Sequence, residues 1–180
     1  MRIALLAFAA LPLALTAACS PAGEEAGEDG AVLPAGPEAA ISEVGADEIP
    51  AAVRAVALAR IPGMTILEAT RKERDGMVFY DVEGTRPDGS EVELDMLEEN
   101  GGYRVVEVQR DIAWDEVPAS VRAAAEAKRD MFTPVRVIEG VQEDGTVIYE
   151  LFAPGQPGEP AAEVALRGGK AEVLTERSKY

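Results

Sequence analysis

The chain repeats itself. Asp47-Glu48-Ile49-Pro50-Ala51-Ala52-Val53-Arg54 returns 68 residues later as Asp115-Glu116-Val117-Pro118-Ala119-Ser120-Val121-Arg122. Asp75-Gly76-Met77-Val78-Phe79-Tyr80 returns as Asp144-Gly145-Thr146-Val147-Ile148-Tyr149, at an offset of 69. Two matches at nearly one spacing describe a duplicated unit, longer than the common solenoid repeats. The 180 residues hold one ordinary domain or two small ones, and the repeat selects two.

Each unit starts with a helix. Asp47 and Asp115 suit its N-cap region, and Pro50 and Pro118 suit its first turn, where a missing N–H costs little. Ile49, Val53, Val56 and Ala57 recur at helical spacing, as do Val117, Val121, Ala124 and Ala125. Four strands follow. In the first unit they are 65–74, 77–85, 91–96 and 103–110, with turns at Asp75-Gly76, Pro87-Asp88-Gly89-Ser90 and Asn100-Gly101-Gly102. In the second they are 135–142, 146–152, 162–166 and 171–176. The expected fold class is α+β: two tandem units, each one helix packed on a four-stranded antiparallel sheet. A single helix covers only one face of such a sheet.

Ahead of the repeat, Met1-Arg2 leads into Ile3–Leu15, a run without charge, and then Thr16-Ala17-Ala18-Cys19. A basic start, a short apolar run and small residues describe an export signal. The run is shorter than the about 20 residues of a membrane-spanning helix. Its end resembles the lipobox of bacterial lipoproteins, with Ala17 and Ala18 at the small positions and Thr16 where that motif prefers Leu. The resemblance implies cleavage after residue 18, lipidation of Cys19, and an anchor on the periplasmic side of a bacterial membrane, with Ser20 pointing to the outer one. Residues 20–46 carry six acids, no base and no aromatic, and read as a disordered, charge-extended tether. The expected domains are therefore a signal peptide at 1–18, lipidated Cys19 with its tether at 19–46, and repeat units at 47–112 and 113–180.

The helix start, the Asp-Gly turn and the strand with Phe79-Tyr80, all duplicated, resemble the PepSY-like superfamily. The tandem arrangement resembles its beta-lactamase-inhibitor-like branch. That resemblance covers residues 47–180 and implies a non-catalytic binding or inhibitory module using an open sheet face. Inhibitors of that branch carry disulfides, whereas Cys19 is the only cysteine here.

Composition removes other classes. Thirty-three acids against 17 bases give a net charge of −16, the wrong sign for a nucleic-acid partner. With no histidine, Ser-His, Cys-His and His-metal chemistry are excluded. A carboxylate-based hydrolase would need a distinctive acid pair, and none stands out. No cofactor or metal is expected: Asp88, Glu91, Glu93, Asp95, Glu98 and Glu99 read as a solvated face, a row and not a cage. Alternation puts Val78, Tyr80 and Val82, and likewise Val147, Tyr149 and Leu151, under the helices. Phe79, Ile148 and Phe152 then fall on the other face and form the candidate binding surface for an envelope protein or peptide. Trp114 reads as packing at the joint between units. The alternative role is a structural spacer or assembly factor.

Overall fold

The computed structural model describes residues 31–34, 36, 39–156 and 158–180. The export signal, Cys19 and the first part of the tether lie outside the described residues. Helix α1 spans Ala51–Arg60 and α2 spans Ala119–Glu126. The strands are β1 (Ala40–Gly45), β2 (Thr65–Arg74), β3 (Met77–Thr85), β4 (Glu91–Glu99), β5 (Gly102–Ile112), β6 (Arg136–Gln142), β7 (Val147–Phe152), β8 (Ala162–Arg167) and β9 (Lys170–Val173). All nine lie in one antiparallel sheet, in chain order.

The fold expected from the repeat is overturned on this point. The two halves do not have a four-stranded sheet each; the described residues form mostly one nine-stranded sheet with two helices. The cause is a direct pairing of β5 with β6, from Glu107 opposite Gln142 to Ile112 opposite Val137. A second difference lies at the edge. Ala40–Gly45, expected in the tether, pairs with β2 as β1. Ala31, also expected in the tether, is buried in the core of the second half, and Leu33 N–H donates to Ala161 O at 2.8 Å.

The hairpin turns follow from their residues. Asp75 and Gly76 both take positive φ, 53° and 73°, as do Asn100 and Gly101 at 52° and 76°. Such turns match the right-handed twist of the flanking strands. The helix starts differ from expectation. Ile49 and Val117 each precede a proline, which disfavours the helical backbone, and both are extended (ψ 125° and 135°). The acids Asp47 and Asp115 therefore sit in short 3₁₀ turns, Ala46–Glu48 and Trp114–Glu116, and each α-helix begins after its proline. The repeated arginine holds this entry together. Arg54 donates to Ala46 O. Arg122 Nη1 donates to the carbonyls of Asp115 at 2.7 Å and Val117 at 2.9 Å.

Both helices pack on the same side of the sheet. Val53 and Ala57 of α1 meet Tyr80, Val82, Val92, Leu94 and Met96. Val121 and Ala125 of α2 meet Val137, Tyr149, Leu151 and Val164, with Trp114 beside them. The two repeated tyrosines occupy equivalent places under the helices. Among the described residues the other side of the sheet has no helix, and that side carries the site.

One continuous sheet makes a prediction that two separate sheets would not. Leu94, fully buried in the first half, loses about 2–5 kcal/mol on replacement by Ala. The only tryptophan, Trp114, reports from the second half. In Leu94→Ala, Trp114 fluorescence and far-ultraviolet circular dichroism should give the same lowered urea midpoint. A Trp114 transition left at the parent midpoint would mean that the halves unfold independently.

Candidate functional site: an acidic cleft on the helix-free face

Strand register stacks acids against acids. Asp81 lies opposite Asp95, Glu83 opposite Glu93, and Glu150 opposite Glu163. All six point away from the helices, because Tyr80, Val82, Leu94, Tyr149 and Val164 take the helix side. Like charges directly across a strand pair are destabilising. Three such pairs on one face are therefore a cost that the fold carries.

A bulge adds another acid. Met96 pairs with Val105 and Asp95 with Glu107, so Val106 is an extra residue in β5. Before it, Tyr103 and Val105 pack on the helix side; after it, Val108 does. The shift turns Glu107 onto the helix-free face beside Asp95. There it is 1% exposed. Gln109 Nε2 donates to Glu107 Oε1 at 2.9 Å and to Asp95 Oδ2 at 3.1 Å, and Gln142 Nε2 donates to Glu107 Oε2 at 2.9 Å. Gly140 makes room: a Cβ there would collide with the Glu107 carboxylate. Asp95 Oδ1 is buried and has no hydrogen-bond partner among the described residues.

The result is a cleft of about 380 Å³ whose walls include seven acidic and four basic side chains. Lys72 pairs with Asp81. Arg136 grips Asp111 with two hydrogen bonds, 2.7 and 2.9 Å, and lies over the Phe152 ring. The charge balance leaves the carboxyls reluctant to ionise. Burial, then Asp81, pushes Glu93 up to about 7. Burial, then Glu163, Glu107 and Glu93, pushes Glu150 up to about 8. Burial raises Asp95 well above the usual carboxylate range, helped by Asp81, Glu93 and Glu107. Burial also raises Asp81 against the pull of Lys72, and Glu163 against its bond from the Ser178 backbone.

The chain's own C-terminal segment lies in this cleft. After β9 it turns across the sheet, with Leu174 N–H donating to Glu163 O at 2.9 Å. Ser178 N–H donates to Glu163 Oε2 at 2.6 Å, and Arg177 Nη1 stands 3.7 Å from Glu163 Oε1. Arg177 also bonds the carbonyls of Pro34 and Pro160 and the carboxylate of Glu159. Arg74 donates to Lys179 O at 2.6 Å, and Tyr180 meets the Phe79 ring edge-on at 6.4 Å.

Phe79, Ile148 and Phe152 do lie on the helix-free face, yet they are 4%, 1% and 4% exposed. Phe79 is covered by Leu97, Val106, Met77 and Tyr180. Phe79 and Phe152 line the cleft wall among its polar groups, while Ile148 is buried in the sheet and does not line it. The acidic row of β4 also differs from its expected solvated state: Glu91 is exposed, Glu93 half-buried and Asp95 buried. Sequence reasoning grouped Glu91, Glu93 and Asp95 by strand and so missed Asp81. Counting back from the turn at Pro87–Ser90 with Thr85 paired to Glu91 places Asp81 against Asp95.

Comparison of the chain with protein-family models, with curated proteins and with solved structures found no match. The resemblance to PepSY-like proteins rests on the duplicated residues quoted above.

The raised Glu150 carboxyl has a consequence for stability. The unfolded chain releases this proton near 4.5 and the folded chain near 8. Its neutral form is therefore favoured by folding, and the cost of ionising it grows as pH rises from 4.5 to 8. Glu150→Gln should match the parent near pH 4.5 and exceed its stability at pH 8, on the order of 1–3 kcal/mol. Urea unfolding at the two pH values measures this, and an equal difference at both would contradict the assignment.

Proposed function

We propose that this protein is a lipid-anchored, non-catalytic recognition module of the bacterial envelope, whose helix-free face takes a basic segment of another protein or peptide. The observation that carries the reading is the set of three directly opposed acid pairs in one cleft. A fold keeps destabilising like-charge pairs where they serve a partner of opposite charge. Raised carboxyl groups gathered in a cleft also mark functional sites more often than structural ones.

The docked C-terminal segment supports the same chemistry. Its Arg177 and Ser178 reach Glu159 and Glu163, the contacts that a basic peptide would make. The anchor at Cys19 and the acidic residues that follow would hold the cleft away from the lipid surface. Replacing Phe79, Ile148 and Phe152 together is a poor test, because all three are buried and their loss would damage the fold.

A defined probe tests the reading. A fluorescent heptapeptide carrying two arginines should bind the full chain, and the same peptide with two glutamates should not. Affinity should fall at least about tenfold between about 0.02 and 0.3 M salt, as the Debye length shrinks. Glu159→Gln with Glu163→Gln, the acids that the tail's Arg177 reaches, should weaken it further. Equal binding of the two peptides, or none of either, would remove basic-segment recognition and favour the spacer role.

A further inference from the structure

We propose that Asp81, Glu93 and Asp95 form a binding site for a divalent cation of the calcium type. One carboxylate oxygen from each of the three lies within 4.8 Å of the other two. They come from two neighbouring strands, with Asp81 directly across from Asp95 and Glu93 two residues along β4 on the same face. That arrangement is a corner of a cage, which a row on one strand cannot provide.

A second observation points to a ligand. Asp95 is 8% exposed and lines the cleft, and its Oδ1 is buried without a hydrogen-bond partner among the described residues. An unsatisfied buried oxygen of this kind is destabilising. Gln109 occupies only the other oxygen, Oδ2. A cation bound by Asp95 Oδ1 would supply that oxygen's partner.

The donor set defines the ion. All three ligands are hard carboxylate oxygens, and the chain has no histidine. An all-carboxylate trio without imidazole fits calcium, which takes six to eight oxygens in flexible geometry. With Asp95 Oδ2 held by Gln109, the three carboxylates supply up to five, and water entering from the cleft supplies the rest. Lys72 is now the nearest cation, paired with Asp81, and its side chain is 41% exposed. It can swing to solvent as the ion enters. Glu83, Glu107 and Arg136 are the next charged groups around the trio. The site stands on β3 and β4 and does not depend on whether a peptide binds the cleft.

The test is calorimetric titration of calcium chloride into the full chain in about 0.15 M KCl, which screens diffuse attraction to a chain of charge −16. We expect one ion per chain with a dissociation constant on the order of 10⁻⁴–10⁻³ M, the range of extracellular calcium modules. Calcium should also raise the melting temperature. Asp95→Asn and Glu93→Gln should each weaken binding at least tenfold and remove the thermal shift. Glu98→Gln, an exposed acid on the same strand, should leave both unchanged. If Asp95→Asn does not fold, Glu93→Gln decides, because that side chain is only half-buried. No saturable binding up to about 10 mM, or binding that neither variant weakens, overturns the proposal.

Discussion

Everything on the functional side depends on the pairing of β5 with β6. Six residue pairs, from Glu107–Gln142 to Ile112–Val137, join two copies of a duplicated unit into one sheet. Each unit brings one helix, and both helices settle on the same side. The opposite side then becomes one surface, nine strands wide among the described residues. Without the junction, the acids of β3 and β4 and those of β7 and β8 would face separate solvents. With it, they share a cleft, and Glu107 and Gln142 stand at the seam between them.

The two sides of the sheet are built by different physics. The helix side is an ordinary apolar core, with Val53, Val121, Leu94 and Leu151 fully buried. Such burial contributes about 25 cal/mol per Å² and has no direction. The other side is held by directed contacts: Gln109 bridging Asp95 and Glu107, Gln142 on Glu107, Arg177 and Ser178 on Glu163. The bulge at Val106 and the bare backbone of Gly140 exist in the same small region and serve one side chain, Glu107. A buried acid supported this closely by its surroundings is costly to assemble, and its position at the seam couples the two halves electrostatically as well as by backbone pairing.

Much of this was legible in the residues. The repeat marked both helices, the Asp75-Gly76 turn set the first hairpin, and alternation put Tyr80 and Tyr149 under the helices. The rest was hidden for physical reasons. Pairing between β5 and β6 is a long-range choice with no local signature, so two sheets and one sheet read alike. Strand β1, AISEVG, has five exposed residues and one half-buried. It pairs at an edge through its backbone, which composition does not record. The helix entries misled because Asp47 and Asp115 have the right type for a cap, while the residue before each proline resists helical geometry. The acid pairs were within reach of hairpin register, but the cover over Glu163 was not, since it comes from a tail that returns from residue 174 onward.

The central claim is that one continuous helix-free face gathers carboxyl groups into a partly buried, charge-crowded cleft. Carbon-detected nuclear magnetic resonance of the side-chain carboxyls, followed through a pH titration of the full chain, addresses it most directly. The account predicts that Glu93 titrates near 7 and Glu150 near 8, each displaced upward by burial and by neighbouring acids. Both groups titrating between about 4 and 5, with the exposed acids, would contradict it.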